Sequence, residues 1–241
     1  MRIERFISPN ELIYRLTVGD QSVRYHVGSI EQLWLIVYTH NTEAAILEEV
    51  SMSLTDDDLL LDVGANLGVY SSVAGTVGAD VAAVEPLQGN GSVALKNIRL
   101  NCETAQLLPF ALSDTNGVVG MKTKESSDVD DQAAIGGSNI TASALRGDAL
   151  VRRHLNRTPT AVKIDVEGSE LEVLDGLSQT LSSDECRRVF LEVHTDQLPS
   201  EIGLSEFQAQ LESFGFSISI IEQRDQTGDE MADQVFIAGE K

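Results

Sequence analysis

From Leu59 onward the chain alternates short apolar runs with amphipathic stretches, and this alternation narrows its fold more than any other feature. Leu59–Val63 reads as a buried strand, Val69–Val77 as a helix and Val81–Glu85 as the next strand. Gly91–Asn101 has helical spacing, with Val93, Leu95 and Ile98 apolar, and Gln106–Ala111 reads as a third strand. Ala161–Asp165 and Val189–His194 supply two more strands. Strands separated by helical crossovers must run parallel, so an α/β fold with helices on both faces of the sheet is expected. Ser169-x-x-Glu172 reads as a capping box opening a helix through Leu177, and Ser205-x-x-Gln208 as the start of a helix that stops at Gly215. Phe216–Ile221 and Gln234–Ala238 are joined by a polar connection too short for a crossover, so this pair should be antiparallel.

Two regions depart from that rhythm. Residues 1–50 read as a lead-in to a domain spanning 51–241. Leu12–Thr17 and Ser22–Val27 flank Gly19-Asp20 as a hairpin, and two helices follow over Ile30–Tyr38 and Thr42–Val50, the second capped by Asn41 or Thr42. Residues 115–160 form an insert rich in Asp, Ser and Gly, with Gly136-Gly137 near its middle, an added strand at Gly117–Thr123 and a helix at Ala144–His154.

A chain of 241 residues suits one α/β domain of this kind. Its net charge of -21, with 5 Lys and 12 Arg against 38 acidic residues, repels phosphate backbones and argues against nucleic acid as a partner. The same acidic surface fits a protein of high-salt surroundings, where self-repulsion is screened. Cys102 and Cys186 lack metal-ligand spacing and read as buried thiols of a reducing compartment. The charged start Met1–Phe6 is no secretory signal, and runs such as Leu33–Tyr38 are too short for a transmembrane span. A cytoplasmic protein is expected. His26, His40 and His154 read as surface residues, and Trp34 with Tyr38, four apart on a helix, as a core or homo-oligomer contact.

The chemistry begins at Asp62-Val63-Gly64-Ala65-Asn66-Leu67-Gly68, where a strand runs into a tight turn and a helix that continues through Tyr70. Gly64 and Gly68 let the backbone approach a ligand, and the helix start offers free N–H groups. Glu85 ends the next strand, where a carboxylate can accept hydrogen bonds from two ribose hydroxyls. A dinucleotide fingerprint needs a middle glycine beside the pyrophosphate, and here that position is Asn66. Asp62 would face a pyrophosphate badly and a cationic amino group well. A ligand with an ammonium, a sulfonium and a ribose, S-adenosylmethionine, therefore fits better than NAD, which remains the alternative beside a catalytically silent nucleotide-binding module.

These residues resemble the FkbM family of S-adenosylmethionine-dependent methyltransferases. Asp62–Gly68 is similar to its first motif, Glu85-Pro86 with Asn90, Leu95 and Asn97 to its second, and Ala111-Leu112-Ser113-Asp114 to its third. Lys163-Ile164-Asp165-Val166-Glu167-Gly168-Ser169-Glu170, with Leu174 and Gly176, resembles its most distinctive signature, and Glu192-Val193-His194 its acidic fifth-strand end. The resemblance spans about residues 43–195. It implies a Rossmann-like class I methyltransferase sheet of seven strands, mostly parallel with the last antiparallel. It also implies O-methylation of hydroxyls on sugars, glycolipids or polyketides. The cofactor contacts then expected are Asp62, Gly64, Ala65, Asn66, Gly68, Tyr70, Glu85, Pro86, Asn90, Ala111, Leu112, Ser113 and Asp165.

Lys163, Asp165 and Glu167 alternate at period two, so in a strand they face one way, at the carboxyl end where open α/β sheets bind ligands. Asp165 is expected nearest the transferred methyl and Glu167 to bind or deprotonate the acceptor; a structural Lys163–carboxylate pair is the plain alternative. Glu192 and His194 share one strand face, and either is a candidate base, His194 by its ordinary pKa. Asp165, Glu192 and His194 are also an O/O/N set of the kind a divalent ion takes, but no metal is assigned. The acceptor stays open, whether a small molecule or a glycan, and whether its oxygen is hydroxyl or carboxyl.

Overall fold

The structure is a computed structural model that describes residues 2–8, 11–122, 134–135, 140–198, 202–224 and 234–241. Residues through Pro109 form one compact unit, and the described residues from Phe110 onward form the other.

The first unit opens with β1 (Arg2–Ser8), β2 (Glu11–Val18) and β3 (Gln21–Val27), an antiparallel sheet in the order β1-β2-β3. The hairpin turns at Gly19 with φ 52°, a left-handed conformation glycine adopts without strain. Val23, Tyr25 and Val27 on β3 are buried in alternation, the mark of a strand with one covered face. Two helices follow, α1 (Ile30–Thr42) and α2 (Ala44–Ser53). The Ser29 hydroxyl caps α1 by accepting the Gln32 N–H at 3.2 Å. Neither Asn41 nor Thr42 caps α2: Glu43 holds that position, and the Thr42 hydroxyl donates to the Tyr38 carbonyl at 2.8 Å. Trp34 is 57% exposed and stacks on Tyr38 with ring centroids 4.9 Å apart, so it is no core residue.

Next come β4 (Leu59–Val63), α3 (Val69–Thr76), β5 (Asp80–Val84), α4 (Gln88–Arg99) and β6 (Ala105–Leu108). β4, β5 and β6 pair in parallel, Leu59 opposite Asp80 and Val81 opposite Ala105. All of β4 is buried, which explains its unbroken apolar run. Asn97 of α4 donates to the Leu67 carbonyl at 2.8 Å and accepts the His26 N–H at 2.7 Å, tying the three-stranded sheet to the glycine turn.

The second unit holds a four-stranded sheet in the order β7-β10-β8-β9, built from β7 (Ala111–Ser113), β8 (Gly117–Lys122), β9 (Ala134–Ile135) and β10 (Ile140–Arg146). The single strand expected over Gln106–Ala111 is in fact two, because Pro109 cannot donate a ladder hydrogen bond. Ala144–Arg146 is likewise strand, not helix: it pairs in parallel with Ala111–Ser113, and α5 (Gly147–His154) starts only afterwards. Gly136-Gly137, Thr123 and the connection over 225–233 lie outside the described residues.

The remaining elements are β11 (Ala161–Ile164), α6 (Glu170–Gly176), α7 (Ser178–Ser182), β12 (Arg188–His194), α8 (Leu204–Ser213), β13 (Ser217–Arg224) and β14 (Gln234–Glu240). β11 and β12 are parallel, and β14 runs antiparallel to both β12 and β13. The large sheet has seven strands in the order β13-β14-β12-β11-β4-β5-β6, mostly parallel with β14 reversed. Ser169 occupies the N-cap of α6 without a side-chain capping bond; the Gly168 N–H goes to Glu170 instead, at 3.0 Å. Ser205 lies inside α8, and the Glu206 carboxylate caps it by accepting the Gly203 N–H at 3.0 Å. Gly215, at φ 95°, ends that helix as expected. Cys102 and Cys186 are free and buried. No helix of the described residues is long and apolar enough to cross a membrane.

Candidate active site

In the first unit, the turn after β4 is built from three left-handed residues, Gly64 (φ 78°), Asn66 (φ 47°) and Gly68 (φ 75°). Asparagine is among the few side chains that tolerate this region, which lets Asn66 stand where a dinucleotide site has glycine. The turn folds onto β5: the N–H groups of Gly64 and Ala65 both reach the Val84 carbonyl at 3.0 Å. A Cβ on Gly68 would lie 3.1 Å from the Ala94 backbone, so helices α3 and α4 meet too closely there for a larger residue.

Glu85 is buried and holds the turn. One carboxylate oxygen accepts the Asn66 N–H at 2.9 Å and the other the Leu87 N–H at 2.8 Å. The Asn90 amide donates to the Asn66 side-chain oxygen at 3.0 Å. Pro86 follows Glu85, half-buried. Glu85, Asn66 and Asn90 therefore form one hydrogen-bonded set. Asp62 is fully buried and accepts both the N–H (3.1 Å) and the hydroxyl (2.6 Å) of Ser71, which anchors α3. The Tyr70 hydroxyl donates to Glu43 at 2.7 Å, a packing link between α3 and the N-cap of α2.

In the second unit, Ala111, Leu112 and Ser113 are buried in β7, within the four-stranded sheet rather than the seven-stranded one. The signature segment makes a different object from the one period-two spacing implies. β11 ends at Ile164, so Asp165 and Glu167 lie beyond the strand. What turns them together is backbone: Glu167 (φ 53°) and Gly168 (φ 89°) are consecutive left-handed residues. A non-glycine residue held there costs on the order of 1 kcal/mol and is found mainly where function needs it.

His194, at the end of β12, is the centre of the cluster and is 1% exposed. Its Nδ1 donates to Glu170 Oε1 at 2.8 Å. Its Nε2 faces Asp165 Oδ1 at 3.8 Å, Glu167 Oε2 at 3.6 Å and Glu192 Oε1 at 3.6 Å. Lys163 Nζ donates to Asp165 Oδ2 at 2.7 Å, and Gln197 Nε2 to Glu167 Oε2 at 2.7 Å.

The charges decide roles. Burial would lower the His194 pKa, but the hydrogen bond to Glu170 and the charges of Asp165, Glu167 and Glu192 outweigh it and raise it to about 10. The imidazole therefore holds its proton more tightly than an isolated histidine. Burial raises Glu167 to about 7, with Asp165 and Glu170 adding to the rise and His194 opposing it. Burial pushes Asp165 upward too, but Lys163 and His194 hold it below its usual range. Two participants escaped the sequence reading, Glu170 and Gln197. Glu170 stood inside the quoted signature, but a carboxylate in the first turn of a helix reads as dipole complementation. His40 also differs from expectation: it bonds the buried Tyr25 hydroxyl at 2.8 Å instead of facing solvent. His154 is exposed, 5.3 Å from the Phe110 ring.

The chain was then compared with known proteins. The family pattern described as the Methyltransferase FkbM domain matches residues 62–226, a span that includes both the glycine turn and the His194 cluster. Hexuronic acid methyltransferase AglP of Haloferax volcanii is 29% identical over 188 residues, covering 77% of this chain and 76% of that protein. The FkbM methyltransferase structure from Methylobacillus flagellatus KT superposes with a TM-score of 0.55 at 16% identity, over 87% of this chain. This chain spans about half of that one (54%). Magnesium protoporphyrin IX methyltransferase from Synechocystis PCC 6803, solved with bound SAM, gives a TM-score of 0.52 at 13% identity, covering 89% of this chain and 86% of that one. These likenesses share the class I methyltransferase fold. The chain belongs to the FkbM methyltransferase domain family, and it is a methyltransferase.

Proposed function

We propose that the protein is an S-adenosylmethionine-dependent O-methyltransferase whose acceptor carries a sugar. The observation that carries this reading is the family match over residues 62–226, which takes in the oriented Glu85–Asn66–Asn90 set and the carboxylate–histidine cluster alike. In it, the glycine turn binds the cofactor: Glu85 serves the ribose and Asp62 the ammonium end, with Tyr70 and Pro86 beside the nucleoside. Asp165 orients the acceptor hydroxyl, and Glu167 or Glu192 takes up its proton. S-adenosylmethionine bound there would supply its sulfonium methyl for in-line transfer to the acceptor oxygen, the carbon–sulfur electron pair staying on sulfur in S-adenosylhomocysteine. Lys163 holds Asp165 ionised by their 2.7 Å contact.

The haloarchaeal relative named for hexuronic acid supports a glycan acceptor. The net charge of -21 supports an enzyme that does not bind nucleic acid directly. Residues 1–50 and 115–160, outside the shared motifs, are where we place acceptor choice. The test is transfer of labelled methyl from S-adenosylmethionine to hexuronate-containing oligosaccharides, with alkaline stability separating a methyl ether from an ester. Absence of S-adenosylhomocysteine binding by calorimetry refutes the reading.

A further inference from the structure

Around His194 Nε2 the distances do not match hydrogen bonding. Nε2 lies 3.6–3.8 Å from three carboxylate oxygens, beyond the reach of a hydrogen bond. Neighbouring ligand atoms around one ion with ~2.1 Å bonds stand ~3–3.4 Å apart, close to this spacing. One ligand atom each from Asp165, Glu167 and His194 lies within 4.8 Å of the others. The set differs from the O/O/N group the strand pattern implied, because the left-handed turn brings in Glu167.

An independent observation concerns what stands behind these atoms. Two of the three are held by a second group on an atom other than the one facing the cluster, His194 Nδ1 by Glu170 and Asp165 Oδ2 by Lys163, and Gln197 fixes the Glu167 oxygen that faces His194. Metal ligands are oriented in this way, and a histidine ligand commonly gives its other nitrogen to a carboxylate. Here that bond leaves Nε2 directed at the carboxylates, where a bound cation takes the place of the Nε2 proton. Among the described residues, Asp165, Glu167, Glu170 and Glu192 gather around Lys163 and His194, and Glu170 Oε2 is buried with no hydrogen-bond partner. Buried charge in excess is normally balanced by pairing or by a metal.

We propose that Asp165, Glu167 and His194 form a binding site for a hard divalent cation of the Mg²⁺ or Mn²⁺ class, with Glu192 as a further oxygen donor and Glu170 as the outer-shell partner of His194. The oxygen-rich set favours these ions over softer ones. Bound there, the cation offers positions to two acceptor oxygens, a hydroxyl and a neighbouring ring or carboxylate oxygen. It thereby lets a chain of net charge -21 hold an anionic sugar. That role rests on the methyltransferase reading; the site itself does not.

The test uses chelator-stripped protein titrated with MnCl₂ and followed by electron paramagnetic resonance. One tight Mn²⁺ per chain is expected, with ¹⁴N coupling from one imidazole in the pulsed spectrum. Wild-type protein alone suffices for that measurement, so a variant that misfolds does not block it. Asp165→Asn should weaken binding at least ~10-fold and Glu170→Gln by ~10–100-fold. Absence of tight binding, or binding without nitrogen coupling, overturns the site and assigns the ion to the acidic surface. S-adenosylhomocysteine binding, measured on the same stripped sample, reports separately on the cofactor turn.

Discussion

Glu170 Oε1 accepts the His194 Nδ1 proton at 2.8 Å, and it also accepts the Gly168 N–H at 3.0 Å. One carboxylate oxygen thus ties the left-handed turn that carries Glu167 to the histidine at the end of β12. Glu170→Gln keeps the volume and removes the charge. Turnover should fall by ~10–100-fold with little change in the KM for S-adenosylmethionine. The His194 pKa, followed by NMR, should drop; an unchanged titration would show that Glu170 does not set it.

Asp62 should prove structural as well as ligand-binding. Asp62→Ala strips the acceptor from the Ser71 N–H and hydroxyl, which costs ~1–3 kcal/mol in urea unfolding. Ser71→Ala removes only the hydroxyl donor and should cost ~1 kcal/mol. If Asp62 also meets the cofactor's ammonium, Asp62→Ala weakens S-adenosylhomocysteine binding far more than Ser71→Ala does. Equal losses would reduce its role to anchoring α3.

Gly176 lies inside helix α6, where propensity alone favours alanine by ~1 kcal/mol. A Cβ there would strike the Ser113 carbonyl oxygen and crowd the Gly147 backbone. Gly176→Ala should therefore lower stability by ~1–3 kcal/mol, since overpacking against backbone exceeds the propensity gain. A stabilised variant in chemical denaturation would contradict this packing.

His40 gives the fold a dependence on acid. Burial lowers its pKa from 6.5 to about 4. Tyr25 is pushed well above its usual value by burial and stays protonated, so its hydroxyl donates to a neutral His40 Nε2. Between pH 4 and 6.5 the unfolded chain binds a proton that the folded chain refuses. This contribution to stability is full above pH 6.5 and is lost as the pH falls toward 4. His40→Gln keeps an acceptor for Tyr25 without titrating. Denaturation midpoints measured across that window should show a shallower decline for the variant than for the wild type.

With 38 acidic and 17 basic residues, self-repulsion opposes the compact state at low ionic strength. Raising KCl from ~0.1 to ~1 M shortens the Debye length from ~10 to ~3 Å. The melting temperature should rise over that range and then flatten. A melting temperature indifferent to salt would argue against a high-salt protein.

Much of this fold could be read in the chain because its signals are local. The five-residue core strand Leu59–Val63, the helix behind it and the closing antiparallel pair each follow from apolar period and connection length. The split at Pro109 and the strand at Ile140–Arg146 could not be read that way. Strand pairing supplies half of what defines such an element, and its partner lies elsewhere in the sequence.

The site divides along the same line. The sequence by itself determined the glycine turn, the acid at Glu85 and the membership of Lys163, Asp165, Glu167, Glu192 and His194 in one site, because residue type and order carry that information. Only tertiary structure decided how those groups meet. Period-two alternation placed Glu167 on a strand face, whereas a left-handed turn swings it to 3.6 Å from His194. An isolated histidine titrates near neutrality; four carboxylates converging from a turn, a helix and a strand raise the pKa of this one. Electrostatic environment is a sum over distances in space, and sequence spacing does not contain them.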